Sequence, residues 1–401
     1  MAKPIERKKS AEASEMRFWP FFDKDEIDAV QAVLRSGKVN YWTGEECRNF
    51  EREFASSVST KHAVALANGT VALEAALHVL GIGAGDEVIV TSRSFVASAG
   101  CVVFLGARPI FADVDRDSQN ITVETISAAC TKRTRAIIAV HLAGWPCDMD
   151  PIIKYARENG LLVIEDCAQA QGALYKGKNV GSLGDMAAFS FCQDKIMTTA
   201  GEGGMVTTND RTIWSKAWSL KDHGKDFELA HQLNDGKGFR WLHKSFGTNW
   251  RMTEMQAAIG RIQLRKLPVW LDIRGRNAGI LTECFRDIPA IRVTIPPADV
   301  KHAYYKYYAF VRPQALKSGW DRNRIIKEIV AAGIPCQSGS CSEIYLEKAF
   351  EQHGLGPKQR LPVAKELGET SLMFLVHPTL TEEDMARTCD VAKDVLRKAT
   401  R

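Results

Sequence analysis

The sequence predicts an α/β protein: a large three-layer α/β/α domain built on a mostly parallel sheet, followed by a smaller C-terminal α+β domain. Three observations carry this. At 401 residues the chain exceeds the usual size of one hydrophobic core. Across residues 60–210, short β-branched runs alternate with helical patterns, the mark of a sheet wrapped by helices. After residue 267 the alternation gives way to sparse strands and long amphipathic segments. The expected organisation is a polar tail over 1–16, a large domain over 17–267 and a small domain over 268–401.

The tail contains Arg7, Lys8 and Lys9, offset by Glu6, Glu12 and Glu15, and reads as a solvated segment. Behind Thr70, the residues Leu73, Ala76, Leu77 and Leu80 recur at the spacing of one buried helical face. Strands are expected over 87–91, 109–114, 135–140, 161–165, 187–191 and 204–207. An amphipathic helix over 148–159 meets Gly160 as a left-handed stop. The polar stretch 221–245 is too long for a connector and reads as a functional loop or subunit-contact element. A helix over 253–267 closes the first unit; a strand over 307–311 and helices over 322–332 and 382–398 make up the second.

Bulk properties narrow the function. Hydrophobic residues at 45% and charged residues at 25% are ordinary for a globular protein. A net charge of +5 is a mild excess, compatible with anionic small substrates and short of a nucleic-acid footprint. No apolar run approaches the ~20 residues of a membrane span, and the N-terminus lacks a secretory core, so a cytoplasmic location is expected, with no membrane partner. Ten cysteines form no C-x-x-C pair and no zinc-spaced cluster with histidine; they read as reduced core thiols, Cys101, Cys130 and Cys389 among them, and no metal site is expected.

Three places concentrate chemistry. Asp166 follows the strand over 161–165, at the sheet edge where ligands bind in open α/β folds. A buried carboxylate there calls for a cation, such as a protonated pyridine nitrogen, or else caps the next turn. Ser190 and Lys195 emerge at the same edge from the strand over 187–191, and a partly desolvated lysine amine can attack an aldehyde. Asn68-Gly69-Thr70 precedes a helix, so unpaired N–H groups and the helix dipole suit a phosphate, although a plain N-cap has the same residues. The run Gly172 to Lys178 nearly spells a phosphate loop, but Asn179 supplies no hydroxyl and no helix start follows, so the match is accidental.

In order along the chain, these residues match a known pattern. Asn68-Gly69-Thr70, Ser94-Phe95, His141-Leu142 with Asp148-Met149-Asp150, Glu165-Asp166-Cys167-Ala168-Gln169-Ala170, Phe189-Ser190-Phe191 with Lys195, Gly201-Glu202-Gly203-Gly204 and Asn249-Trp250-Arg251-Met252 run collinearly. Together they resemble the DegT/StrS-type sugar aminotransferases, which are fold-type I enzymes dependent on pyridoxal 5'-phosphate.

The resemblance implies a role for each site residue. Lys195 is the Schiff-base lysine and the acid/base that moves the proton, and Asp166 holds the pyridine nitrogen. Gln169 reaches the ring hydroxyl, Phe95 lies on the ring face, and Gly69, Thr70 and Ser190 bind the phosphate. Asn249 reaches the cofactor of a second subunit, which implies a homodimer with shared active sites. His223-Gly224 matches a position near the active-site wall.

The implied reaction moves an amino group, from L-glutamate by analogy, to a keto sugar of surface-polysaccharide or lipopolysaccharide synthesis. A nucleotide-linked keto-deoxy sugar is the first acceptor; a free keto sugar acid of the octulosonate type is the second. Departures at Ala143, Trp145 and Cys147, and over 338–343 with Glu343, make the expected substrate wall atypical. A sugar dehydratase of the same fold has a histidine where Lys195 stands, and a regulator that only keeps the fold would not need Lys195, Asp166, Ser190 and Asn249 together.

Overall fold

The computed structural model describes residues 18–232 and 239–401. The expected tail over 1–16 and part of the polar stretch 221–245 lie outside the described residues.

A seven-stranded sheet forms the centre. In chain order its strands are β1 (His62–Leu66), β2 (Glu87–Thr91), β3 (Arg108–Ala112), β4 (Thr134–Val140), β5 (Leu162–Asp166), β6 (Met186–Ser190) and β7 (Gly204–Thr208). Their order across the sheet is β1-β7-β6-β5-β4-β2-β3. Neighbours from β6 to β3 run parallel, while β7 is antiparallel to both β1 and β6. The expected strands are present within two residues at each end; β1 was not among them. The antiparallel direction of β7 also differs from the sequence reading. The connection over 191–203 forms no crossover helix, so the chain turns back on itself and β7 pairs with its predecessor in the opposite direction.

Every residue of β2, β6 and β7 is buried, because helices cover both faces of the sheet. The Gly172 to Lys178 run that mimics a phosphate loop is a hairpin, pairing Leu174–Tyr175 with Lys178–Asn179 around Lys176 and Gly177 at positive φ. Gly160, also at positive φ, follows the helix Met149–Glu158 as expected.

The helix expected over 253–267 begins at Thr253, which caps it by accepting from Gln256 N, and runs on through Pro268 to Phe285. It continues because both ends are buried in apolar packing. Ala257, Leu267 and Leu271 belong to the core under the seven-stranded sheet, while Ala278, Leu281 and Phe285 belong to the core of the C-terminal elements. That second core backs a four-stranded antiparallel sheet of β8 (Ile291–Val293), β9 (Tyr307–Val311), β10 (Cys336–Gln337) and β11 (Ser371–Phe374). The helix Glu382–Ala399 covers it with Met385, Ala392 and Leu396. Among the described residues no helix is long and apolar enough to cross a membrane. The ten cysteines are free; Cys101 and Cys389 are buried as expected, whereas Cys130 is half-buried and Cys341 is exposed.

The carboxyl end of β5 is tied down by Glu165. Its carboxylate is fully buried and accepts from the backbone N–H groups of Gly181, Leu183 and Gly184 at 2.9, 2.7 and 2.8 Å. His141 Nδ1 accepts from Cys147 N at 2.9 Å, so the ring hydrogen sits on Nε2 and is donated to Glu165 at 3.1 Å. Cys167 lies beside them, but these bonds consume the His141 and Glu165 donor atoms and leave them nothing for a metal. Glu165→Gln would turn an amide NH2 toward these donors. It is expected to cost about 2–4 kcal/mol, read as a lowered urea midpoint or melting temperature. A change within about 0.5 kcal/mol would contradict this role.

Candidate active site

Seven of the eight residues predicted for the site line one cavity of about 910 Å³: Gly69, Thr70, Phe95, Asp166, Gln169, Ser190 and Lys195. They come from the carboxyl ends of β1, β2, β5 and β6, which the parallel strand directions bring to one edge of the sheet. Asn249 is not among them. It is exposed and bridges to Asp222 away from the cavity of its own protomer.

One end of the cavity suits an anion. Asn68 caps the helix Gly69–Val79 by accepting from Val71 N at 3.0 Å, and the N–H groups of Gly69 and Thr70, in the first turn, have no intrahelical acceptor. The glycine is required there, since a Cβ on Gly69 would sit 2.6 Å from Ser190 Cβ. Gly204 is required behind it, because its Cβ would meet the Asn68 carbonyl oxygen at 2.2 Å. Close backbone approach therefore sets the Ser190 hydroxyl beside the helix start.

The other end suits an aromatic ring with a cationic nitrogen. Asp166 is buried at 4% exposure; Ser98 Oγ donates to its Oδ2 at 2.8 Å and Ala168 N to its Oδ1 at 3.1 Å. Ser94 and Ser98 hydroxyls lie 2.9 Å apart and extend that network. Gln169 Oε1 accepts from Ala143 N at 2.8 Å, which leaves its amide NH2 as the group free for the cavity. Phe95 keeps 65% of its surface exposed within the cavity lining, an apolar face with no partner from the protein.

Lys195 is held on both sides of its backbone. Its N–H donates to Cys192 O at 3.1 Å, and Trp19 Nε1 donates to its carbonyl at 2.7 Å. The ammonium lies 4.9 Å over the Tyr305 ring. Tyr305 donates its hydroxyl to Asp194, which also faces Lys306 Nζ at 3.5 Å. Burial opposes ionisation of Asp194, but the Tyr305 hydrogen bond and the ammonium groups of Lys306 and Lys195 outweigh it and hold its carboxyl below the usual range. Burial, reinforced by Asp194, pushes the Tyr305 phenol well above its ordinary value.

Four residues of this site escaped the sequence reading: Ser98, Asp194, Tyr305 and Lys306. Ser98 stands one helical turn after Ser94, and a lysine inside the aromatic run Tyr304 to Tyr308 is the signal that could have marked Lys306. Two expectations need correction. Trp145 lines a separate groove with Asp115 and Tyr175, where the turn after β4 packs its ring edge-on against His302 at 5.6 Å. Glu343 is buried in an ion pair with Arg360 and accepts from Tyr345, so it does not face the cavity. Of the stretch 338–343, Gly339, Ser340 and Cys341 line the cavity instead.

These features fit pyridoxal phosphate: a cradle that a Cβ would fill for the phosphate, a buried carboxylate for the ring nitrogen and an unpaired aromatic face for the ring. The comparisons agree. Residues 20–393 match the DegT/DnrJ/EryC1/StrS aminotransferase family, to which the chain belongs. It is a pyridoxal-phosphate-dependent aminotransferase. In structure it is similar to the aminotransferase from Psychrobacter cryohalolentis, at 55% identity and a TM-score of 0.93, covering 95% of this chain and 99% of that one. It is similar to GDP-perosamine synthase of Caulobacter vibrioides at 39% identity over 379 residues, 94% of this chain and 97% of the relative. DesV of S. venezuelae, solved in complex with a ketimine intermediate, aligns at 31% identity with a TM-score of 0.83, covering 92% of this chain and 94% of that one.

Gly69→Ala is expected to push Ser190 out of place and weaken cofactor binding by about tenfold or more, as titration of the apoenzyme with pyridoxal phosphate would read it. Unchanged affinity would contradict the phosphate assignment.

Proposed function

We propose that the chain aminates a keto sugar carried on a nucleotide, with L-glutamate as the amino donor. The observation that carries this is Lys195 and Asp166 lining one cavity beside the glycine-built helix start, in a chain similar to an enzyme named for a GDP-linked aminosugar. When bound, pyridoxal phosphate supplies an electron sink for charge at the reacting carbon.

The chain's own residues supply the rest. Lys195 Nζ attaches the cofactor and, once freed as an amine, takes the proton from the donor's α-carbon and later returns one to the sugar carbon. Asp166, oriented by Ser98 and by Ala168 N–H, meets the ring nitrogen; its burial makes a cationic partner favourable. Gln169 turns its NH2 to the ring hydroxyl, and Phe95 covers the ring face. Gly69, Thr70 and Ser190 hold the phosphate at the helix start. A histidine at position 195 could not attach the cofactor in this way, which favours transamination over dehydration.

Asn249 reaches the phosphate of a second subunit in this reading, and the active unit is a homodimer. Its exposure outside its own cavity supports that, as do the exposed Phe239, Trp241 and Phe246 on the same segment.

Two tests follow from these roles. The purified protein is expected to be yellow and to lose its long-wave absorbance with L-glutamate; Lys195→Ala should do neither, and a wild-type protein that stays colourless with added cofactor would overturn the reading. For the shared site, Lys195→Ala and Asn249→Ala chains are unfolded together and refolded. Only mixed dimers carry one intact site, so about a quarter of wild-type activity should return from two inactive parents. No recovery would show that Asn249 serves its own chain's site.

A further inference from the structure

A second, smaller cavity of about 220 Å³ backs onto the active site. The two share Asp194, Tyr305, Lys306 and Leu375 as a common wall. On the far side of the smaller one lies Arg274, from the middle of the helix Glu254–Phe285, at 1% exposure.

Arg274 is only partly engaged. Nη1 donates to the carbonyls of Tyr304 at 3.3 Å and Tyr305 at 3.2 Å and the guanidinium carbon lies 5.4 Å over the Trp19 ring, while Nε and Nη2 are buried with no hydrogen-bond partner. Those two N–H groups share one edge of the guanidinium, the fork that grips a carboxylate through both oxygens. A buried guanidinium with an open fork is costly unless an anion meets it. Burial drives the Arg274 pKa down to about 9, against the smaller opposing pull of Tyr305 and Asp194.

The surroundings are cationic as well. Lys306 contributes an ammonium to the wall, itself opposed by burial. His377 stays a neutral imidazole, since burial, with Arg274 and Lys306 nearby, pushes its pKa down to about 3, so it neither adds to the positive charge nor offsets it. Asp194 is the one carboxylate among the described lining residues, and Tyr305 and Lys306 already engage it.

We propose that this side cavity is a carboxylate-binding subsite, in which Arg274 and Lys306 hold a carboxylate of a substrate whose reacting carbon stands at Lys195. The proposal rests on the aminotransferase reading above and deepens it. Among the described lining residues of the larger cavity, Lys306 is the one cationic side chain besides Lys195, so an acidic substrate finds its counter-charge at this wall. The carboxylate belongs to the dicarboxylic amino donor or to an acidic sugar acceptor, which present the same group.

The test is calorimetric titration of the yellow holoenzyme with glutarate, a dicarboxylate without an amine, and with neutral glutaramide. Glutarate should bind and glutaramide should not. Arg274→Lys keeps the charge and loses the fork, and Lys306→Met removes the charge at the wall; each should weaken glutarate by about tenfold or more at an unchanged cofactor content. If Arg274→Lys does not fold, Lys306→Met decides alone. Repeating the series with glucuronate separates the sources. Dependence on these residues with glutarate assigns the carboxylate to the donor, and dependence with glucuronate alone assigns it to an acidic acceptor. If neither probe depends on them, or if glutaramide binds as well as glutarate, the subsite is wrong while the aminotransferase reading stands. A protein that takes up no cofactor overturns both.

Discussion

The arrangement of the site depends on one strand end, where two adjacent carboxylates leave β5 in opposite directions. Successive side chains of a strand point to opposite faces, so Glu165 turns into the protein and Asp166 into the cavity. Glu165 is anchored by three backbone N–H groups and by His141, which fixes the loop 181–184 and the turn after β4 against the strand. That anchorage lets Asp166 stay buried next to Ser98 with its position defined to within a hydrogen bond. A charge held this way costs little reorganisation when a cationic ring meets it.

The second constraint is the seam between the two sheets. The segment leading into β9 is stitched to the turn after β4: Ala303 N donates to Gly144 O at 2.9 Å and Tyr305 N to Ala143 O at 2.8 Å. Ala143 in turn donates its N–H to Gln169. A Cβ on Gly144, which has a φ of 97°, would lie 2.9 Å from Tyr304 N, so the close approach requires glycine. Through this seam the C-terminal elements deliver Tyr305 and Lys306 to a cavity whose remaining chemistry belongs to the first sheet. The Glu254–Phe285 helix spans the same seam from behind and places Arg274 there.

How much of this was legible in the sequence follows from where each contact comes from. Strand runs and the cap at Asn68 are local, and their residue types show them directly. The ordered motifs around Asp166 and Lys195 are local too, because Asp166 ends one strand, Lys195 follows the end of the next by five residues, and both share one sheet edge. The direction of β7 and the pairing of β1 depend on a partner far along the chain, which periodicity does not report. Trp145 and Glu343 misled for the same reason: nearness in sequence to site residues did not make them wall residues once the turn after β4 and the Arg360 ion pair had placed them. Arg274 was hidden by its helix, where a lone arginine reads as a solvated cation, and only the packing shows its open fork.

Every role assigned in the site follows from Lys195 Nζ as the atom that carries the cofactor. Borohydride reduction of the yellow enzyme, followed by digestion and mass spectrometry, tests it without relying on turnover. The pyridoxyl mass is expected on the peptide containing Lys195 and on no other. Label on Lys306, the second lysine lining the same cavity, or on no lysine at all, would contradict it.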